Sequence, residues 1–141
     1  MSVEEIPRIH LYRRIVQAKL FIDRNFGENI NAEDIADEAS YSKFHFIRTF
    51  KGIYGRTPHQ YLIHVRIEAA KKLLATGVSV TEACMAVGFE SMGSFTSLFK
   101  RRTGVTPSEF GRFQLSRNQK MREHPLTFIP GCVVAHAKLA K

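Results

Sequence analysis

The feature that most constrains this chain is a self-match at a constant offset of 49 residues. The stretch from Thr49 to Tyr61, TFKGIYGRTPHQY, resembles the stretch from Leu98 to Phe110, LFKRRTGVTPSEF. Phe50, Lys51, Gly55, Thr57 and Pro58 recur as Phe99, Lys100, Gly104, Thr106 and Pro107, and Tyr61 recurs as the aromatic Phe110. Upstream, Ser42 recurs as Ser91 and Phe46 as Phe95. Self-similarity at a fixed period marks copies of one supersecondary unit. Here each copy reads as a short helix, a tight turn, a longer helix, a glycine stop and a Thr-Pro restart.

The pattern around the repeat is helical. Leu11, Ile15, Ala18 and Ile22 form one stripe of a first helix, and Gly27 is a stop beyond it. Asn31 to Asp34 looks like an N-cap with an acid in the first turn, opening a short helix from Ala32 to about Ala39. Ser42 caps a third helix through about Tyr54, with Phe46 and Phe50 in the core. Thr57-Pro58-His59-Gln60 places a capping Thr before a Pro at N1 and a Gln at N3, which opens the longest helix. Leu62, Val65, Ala69 and Leu73 mark its expected buried face, and Gly77 ends it. Ser79 to Glu82 opens a short helix to about Val87, Gly88 supplies the next turn, and Ser91 caps a helix to about Thr103. Thr106 to Glu109 caps a last short helix expected to end near Phe113. No strand alternation runs through the first 115 residues, so the expected class is all-α, with about seven helices.

These elements divide as an N-terminal extension (1–9), a first helix-turn-helix subdomain (10–56), a linker helix (57–77), a second helix-turn-helix subdomain (78–115) and a basic C-terminal tail (116–141). In a helix-turn-helix the second helix lies in the major groove of DNA. The linker, about 19 residues at 1.5 Å rise, spans roughly 28 Å, and the flanking turns bring the separation near one DNA turn of about 34 Å. Two such helices on one chain would then reach successive major-groove segments on one side of the duplex.

Charge agrees with a polyanionic partner. The 141 residues carry 21 Lys and Arg against 13 Asp and Glu, a formal net charge of +8. From Ala39 to Ile67 the sequence holds Lys43, Arg48, Lys51, Arg56 and Arg66 and no acid. From Ser91 to Arg122 it holds seven cations against Glu109 alone. Cations therefore sit on or after the two expected reading helices, where phosphates would lie. Other classes find little support. Cys84 and Cys132 are isolated, so neither a disulfide scaffold nor a zinc site is expected. His45, His59 and His64 share no ligand spacing. There is no nucleophile–base grouping, no phosphate-cradling glycine loop and no paired carboxylates, so no catalytic residue, metal or cofactor is expected and the chain is not expected to be an enzyme. No apolar run is long enough for a membrane span, and the first residues lack the apolar core of a signal peptide, which gives a cytoplasmic expectation.

The residues also resemble a known family. Ile35-Ala36, the run from Tyr41 to Lys51, Tyr61-Leu62 with Arg66 and Ala69-Ala70, then Val87-Gly88-Phe89, Ser91, Phe95, Phe99-Lys100, Gly104 and Thr106-Pro107-Ser108 are similar to the DNA-binding domain of the AraC/XylS regulators, over about residues 10 to 113. The length resembles that of small stand-alone members without a sugar-binding and dimerisation domain. The resemblance implies sequence-specific binding of promoter or operator DNA by a monomer, recruitment of RNA polymerase, no membrane partner, and action in the cytoplasm on nucleoid DNA. It implies base contacts at Phe44, Ile47 and Arg48 of the first reading helix and at Met92, Gly93, Thr96 and Ser97 of the second. Arg48 suits a bidentate pair with guanine, and Phe44 and Ile47 suit thymine methyls. Met92, Gly93 and Ser97 depart from the larger polar residues or Arg of better-known members, so the second unit is expected to add affinity more than discrimination. Phosphate contacts are expected at Lys43, Lys51, Arg56, Lys100 and Arg101. The rival reading is a helical protein-interaction adaptor with weak or non-specific DNA binding, which would require an extensive exposed apolar patch in place of a basic surface.

Overall fold

The computed structural model of the chain describes residues 5–31, 35 and 42–128. Its helices are α1 (Glu5–Asn25), α2 (Lys43–Tyr54), α3 (Pro58–Ala75), α4 (Val80–Ala86), α5 (Met92–Thr103) and α6 (Pro107–Glu123), followed by a 3-10 turn at Pro125–Phe128. No strand occurs among the described residues, and the all-α expectation holds. The expected helix over 32–39 lies outside the described residues except for Ile35, which is helical and half-buried.

The boundaries follow from local chemistry repeated at the same offset. Thr57 accepts the Gln60 N–H while the Gln60 side chain accepts the Thr57 N–H; Thr106 and Glu109 do the same, and a proline follows each cap. Each box satisfies orphan donors at a helix start. Gly55 and Gly104 end α2 and α5 in the left-handed region, at φ 73° and 86°, donating to the carbonyls of Lys51 and Lys100. An L side chain is strained there, so glycine is the natural stop.

Two apolar clusters result. In the first, Leu11, Ile15, Ala18 and Ile22 of α1 pack with Phe46, Phe50 and Leu62. In the second, Ile67, Ala70 and Leu74 of α3 pack with Ala83, Cys84, Val87, Phe95 and Phe99. The duplication extends to ring geometry: Phe50 and Tyr61 meet edge-on at 5.9 Å and 68°, and their counterparts Phe99 and Phe110 at 5.5 Å and 74°. Edge-to-face packing suits the aromatic quadrupole.

α3 serves both clusters, and this changes its expected buried face. Besides Pro58 at its start, Leu62, Ile67, Ala70 and Leu74 are the buried positions, while Val65, Ala69 and Leu73 are half-buried. A helix gripped from two sides is covered over a wider arc than one stripe. Tyr61 also ties α3 to α1: its hydroxyl donates to Asp23 at 2.6 Å, and Lys19 pairs with the same carboxylate at 2.7 Å.

The last helix is also corrected. α6 does not stop near Phe113 but runs to Glu123, through residues expected to open the tail. It lies along α3, where the buried Gly111 leaves only van der Waals room beside Leu74 and the Asn118 side chain donates to the Ala75 carbonyl at 3.4 Å. The exposure of its second half leaves no apolar stripe to be seen in sequence.

Candidate nucleic-acid interface

α2 and α5 present matching outward faces. Phe44, Ile47, Arg48 and Lys51 stand at i, i+3, i+4 and i+7, and adding 49 to each gives Gly93, Thr96, Ser97 and Lys100. That spacing puts four side chains on one side of a helix. The opposite side carries Phe46 and Phe50 in α2, and Phe95 and Phe99 in α5, all fully buried. Anchoring by large aromatics on one side therefore fixes what the other side shows.

Exposure sorts the expected contact residues. Phe44 is 77% exposed, an unusual position for a large apolar ring that belongs to no core. Arg48 and Lys51 are exposed; Ile47 is half-buried and packs on the first cluster, so only part of it faces outward. On α5, Met92, Gly93, Ser97, Lys100 and Arg101 are exposed and Thr96 is half-buried. Gly93, the counterpart of Phe44, stands in open space, so α5 shows a lower relief than α2. Arg101 lies one step around the helix from Lys100, at the edge of this face. Lys43 is half-buried in the first turn of α2. Arg56 is not brought to the outward face: it follows Gly55 and lines a groove of about 540 Å³ beside α3 with Tyr61, His64, Glu68 and Lys72.

Caps and charge complete the faces. Ser42 accepts the His45 N–H and Ser91 the Ser94 N–H, at 3.3 and 3.1 Å. Neither helix contains an acid, and both carry cations in the last turn. Those cations complement the carbonyl end of the helix dipole. Among the described residues no group of three His, Cys, Asp or Glu is placed to hold a metal ion, and no helix is long and apolar enough to cross a membrane. Burial pushes His64 below the ordinary histidine range, reinforced by Arg56. Burial raises the Cys84 thiol, whose sulfur faces the carbonyls of Phe89 and Ser91 at 3.9 and 3.8 Å. A buried, protonated thiol is a small apolar filler and a poor nucleophile.

One cation belongs to a different role from the one its sequence position suggested. The Arg66 Nε donates to the Phe26 carbonyl at 2.8 Å and a terminal nitrogen donates to the Glu28 carbonyl at 2.9 Å. Its guanidinium carbon lies 5.8 Å from the Phe89 ring centroid. Burial lowers its proton affinity, partly offset by Glu90. Arg66 is thus half-buried and engaged with backbone carbonyls rather than standing free on the surface. Charge counting along the sequence cannot separate these roles, because both need the same residue type.

The profile of a family described as "Helix-turn-helix domain" matches residues 35–112. A transcriptional regulator from Chromobacterium violaceum, described as of the AraC-type DNA-binding domain-containing proteins, superposes with a TM-score of 0.63 at 27% identity, over 73% of this chain and 93% of that one. This chain belongs to the AraC/XylS family. Its relatives include the bifunctional transcriptional activator/DNA repair enzyme AdaA of Bacillus subtilis, 41% identical over 91 residues, 64% of this chain and 43% of AdaA. The DNA-binding domain of AdpA, a global transcriptional factor solved in complex with a target DNA, superposes with a TM-score of 0.65 at 26% identity, over 79% of this chain and 96% of that domain. The chain spans between 32% and 58% of the length of three curated relatives that it matches.

Proposed function

We propose that this AraC-type chain binds promoter DNA sequence-specifically as a transcription regulator, with α2 and α5 entering successive major-groove segments. The observation that carries this reading is the pair of capped, acid-free helix faces related by a constant offset and joined by one helix. α3 has 18 residues and a length of about 27 Å. The AdpA domain's complex with target DNA supports the same use of the fold.

In this reading the first unit chooses the site. Arg48 pairs with a guanine edge, and Phe44 with the exposed side of Ile47 meets thymine methyls. The second unit, with Met92, Gly93, Thr96 and Ser97, follows groove shape and adds affinity. Lys43, Lys51, Lys100 and Arg101 neutralise phosphates; Arg56 reaches a phosphate only by leaving its groove beside α3. The subdomain division stays as 10–56, 57–77 and 78–115, although α6 continues beyond its last boundary. The chain acts as a monomer in the cytoplasm on nucleoid DNA, recruits RNA polymerase and performs no catalysis of its own.

Selection of bound duplexes from a random pool tests the reading. A site with two conserved blocks about one helical turn apart is expected. Recovery of no consensus, with affinity that depends on salt alone, would overturn it.

A further inference from the structure

The turn after α1 and the turn between α4 and α5 meet backbone to backbone. A Cβ on Gly27 would lie 2.9 Å from the Ala86 carbonyl oxygen. A Cβ on Gly88 would lie 2.8 Å from the Phe26 oxygen and 3.0 Å from that of Gly27. Real Cβ atoms do not sit so close to backbone, so this approach exists because both positions are glycine. The Phe26 side chain packs on both apolar clusters. Arg66, from the helix shared by both units, donates to the Phe26 and Glu28 carbonyls of the first turn and stacks over Phe89 of the second.

We infer that Arg66 is a positioning residue for DNA recognition: by locking this glycine seam it fixes the rotation and separation of α2 and α5, and so sets the half-site spacing that the protein accepts. The inference rests on the two-groove reading above. Three features support it. The guanidinium joins three segments: α3, the loop after α1 and the turn before α5. Its planar donor fork matches two carbonyls at once, which an ammonium does not reproduce. Among the described residues the seam also brings main chain of the two units together outside α3, so releasing it shifts restraint onto the connecting helix.

A rigid pair of readers is sensitive to spacing. One inserted base pair moves a half-site by about 3.4 Å and turns it by about 35°. A locked protein must strain itself or the duplex to follow, whereas a hinged one follows by rotating.

The test takes the duplex selected by the wild-type chain and adds versions with one base pair inserted or removed between the two blocks. For each protein the readout is the ratio of its affinities for the native and altered spacings. Loss of folded protein cancels in that ratio. The wild type is expected to lose about tenfold or more on altered spacing, and Arg66→Met about threefold or less. Gly27→Ala perturbs the seam without touching Arg66 and is expected to relax the ratio in the same direction; Arg66→Lys should fall between. A wild type that discriminates spacing while Arg66→Met and Gly27→Ala discriminate equally well overturns the positioning role and leaves the two-groove reading standing. A wild type indifferent to spacing overturns the two-groove reading, and the inference falls with it.

Discussion

Gly88 and Gly104 have nearly the same backbone, φ 87° and 86°, in opposite surroundings. A methyl group added at Gly104 would meet nothing within 4 Å, whereas one added at Gly88 would meet two backbone oxygens at 2.8 and 3.0 Å and the Arg66 guanidinium at 3.1 Å. Replacing each by alanine therefore separates conformational strain from contact. Gly104→Ala meets the left-handed penalty alone, partly offset by a stiffer unfolded chain, and should cost about 1 kcal/mol. Gly88→Ala meets the same penalty and must also push two carbonyls and the guanidinium apart. Losing or weakening a charged hydrogen bond adds about 1.5–3 kcal/mol, for a total of about 2.5–4 kcal/mol. Urea unfolding at 25 °C, followed by circular dichroism, measures both, provided the slopes with denaturant stay equal to that of the wild type. Equal costs for the two variants, within about 0.5 kcal/mol, would show that the seam is not closed in solution.

Arg48→Ala should weaken the selected duplex by about 1–3 kcal/mol and relax one base position, while Lys100→Ala should weaken all duplexes alike and reduce the salt slope by about 1, both read by fluorescence anisotropy. Phe44→Ala should leave unfolding within about 0.5 kcal/mol of the wild type because the ring is exposed; its binding to the selected duplex should still fall, and a large loss of stability would show the ring to be structural. Burial works to raise the Asp23 carboxyl, but the Lys19 and Tyr61 hydrogen bonds outweigh it and hold the group below its ordinary value. A depressed carboxylate stabilises the fold above its unfolded pKa, and this contribution disappears as pH falls through the folded value. The stability gap between wild type and Asp23→Asn should therefore be present at pH 7 and shrink below about pH 4, as measured by urea melts across pH; a gap that grows on acidification would refute the assignment.

What could be read from the sequence was what neighbouring residues decide among themselves. Thr57 with Gln60, Thr106 with Glu109, and the glycines at 55 and 104 act over one helical turn, so their spacing alone located the ends of α2 and α5 and the starts of α3 and α6. Phe46, Phe50, Phe95 and Phe99 were legible as core because their period fits one buried side of a helix. The far end of α6 was not, since Gly111 and Asn118 are held by α3, more than 35 residues earlier. The role of Arg66 was hidden for the same reason: its partners lie 38 to 40 positions away and are carbonyls, which carry no sequence signal. Arg56 stands in a basic run and yet turns into a groove, which only the path after Gly55 determines.

Because α3 supplies Leu62 to one apolar cluster and Ile67, Ala70 and Leu74 to the other, neither half of the molecule owns a complete interior. A fragment ending before this helix lacks a wall, and one beginning after it lacks the same wall. The two halves are consequently expected to melt as one cooperative unit. The duplicated unit thus forms a single folding domain, in which the damage from a core substitution on one side is expected to reach the outward-facing helix of the other.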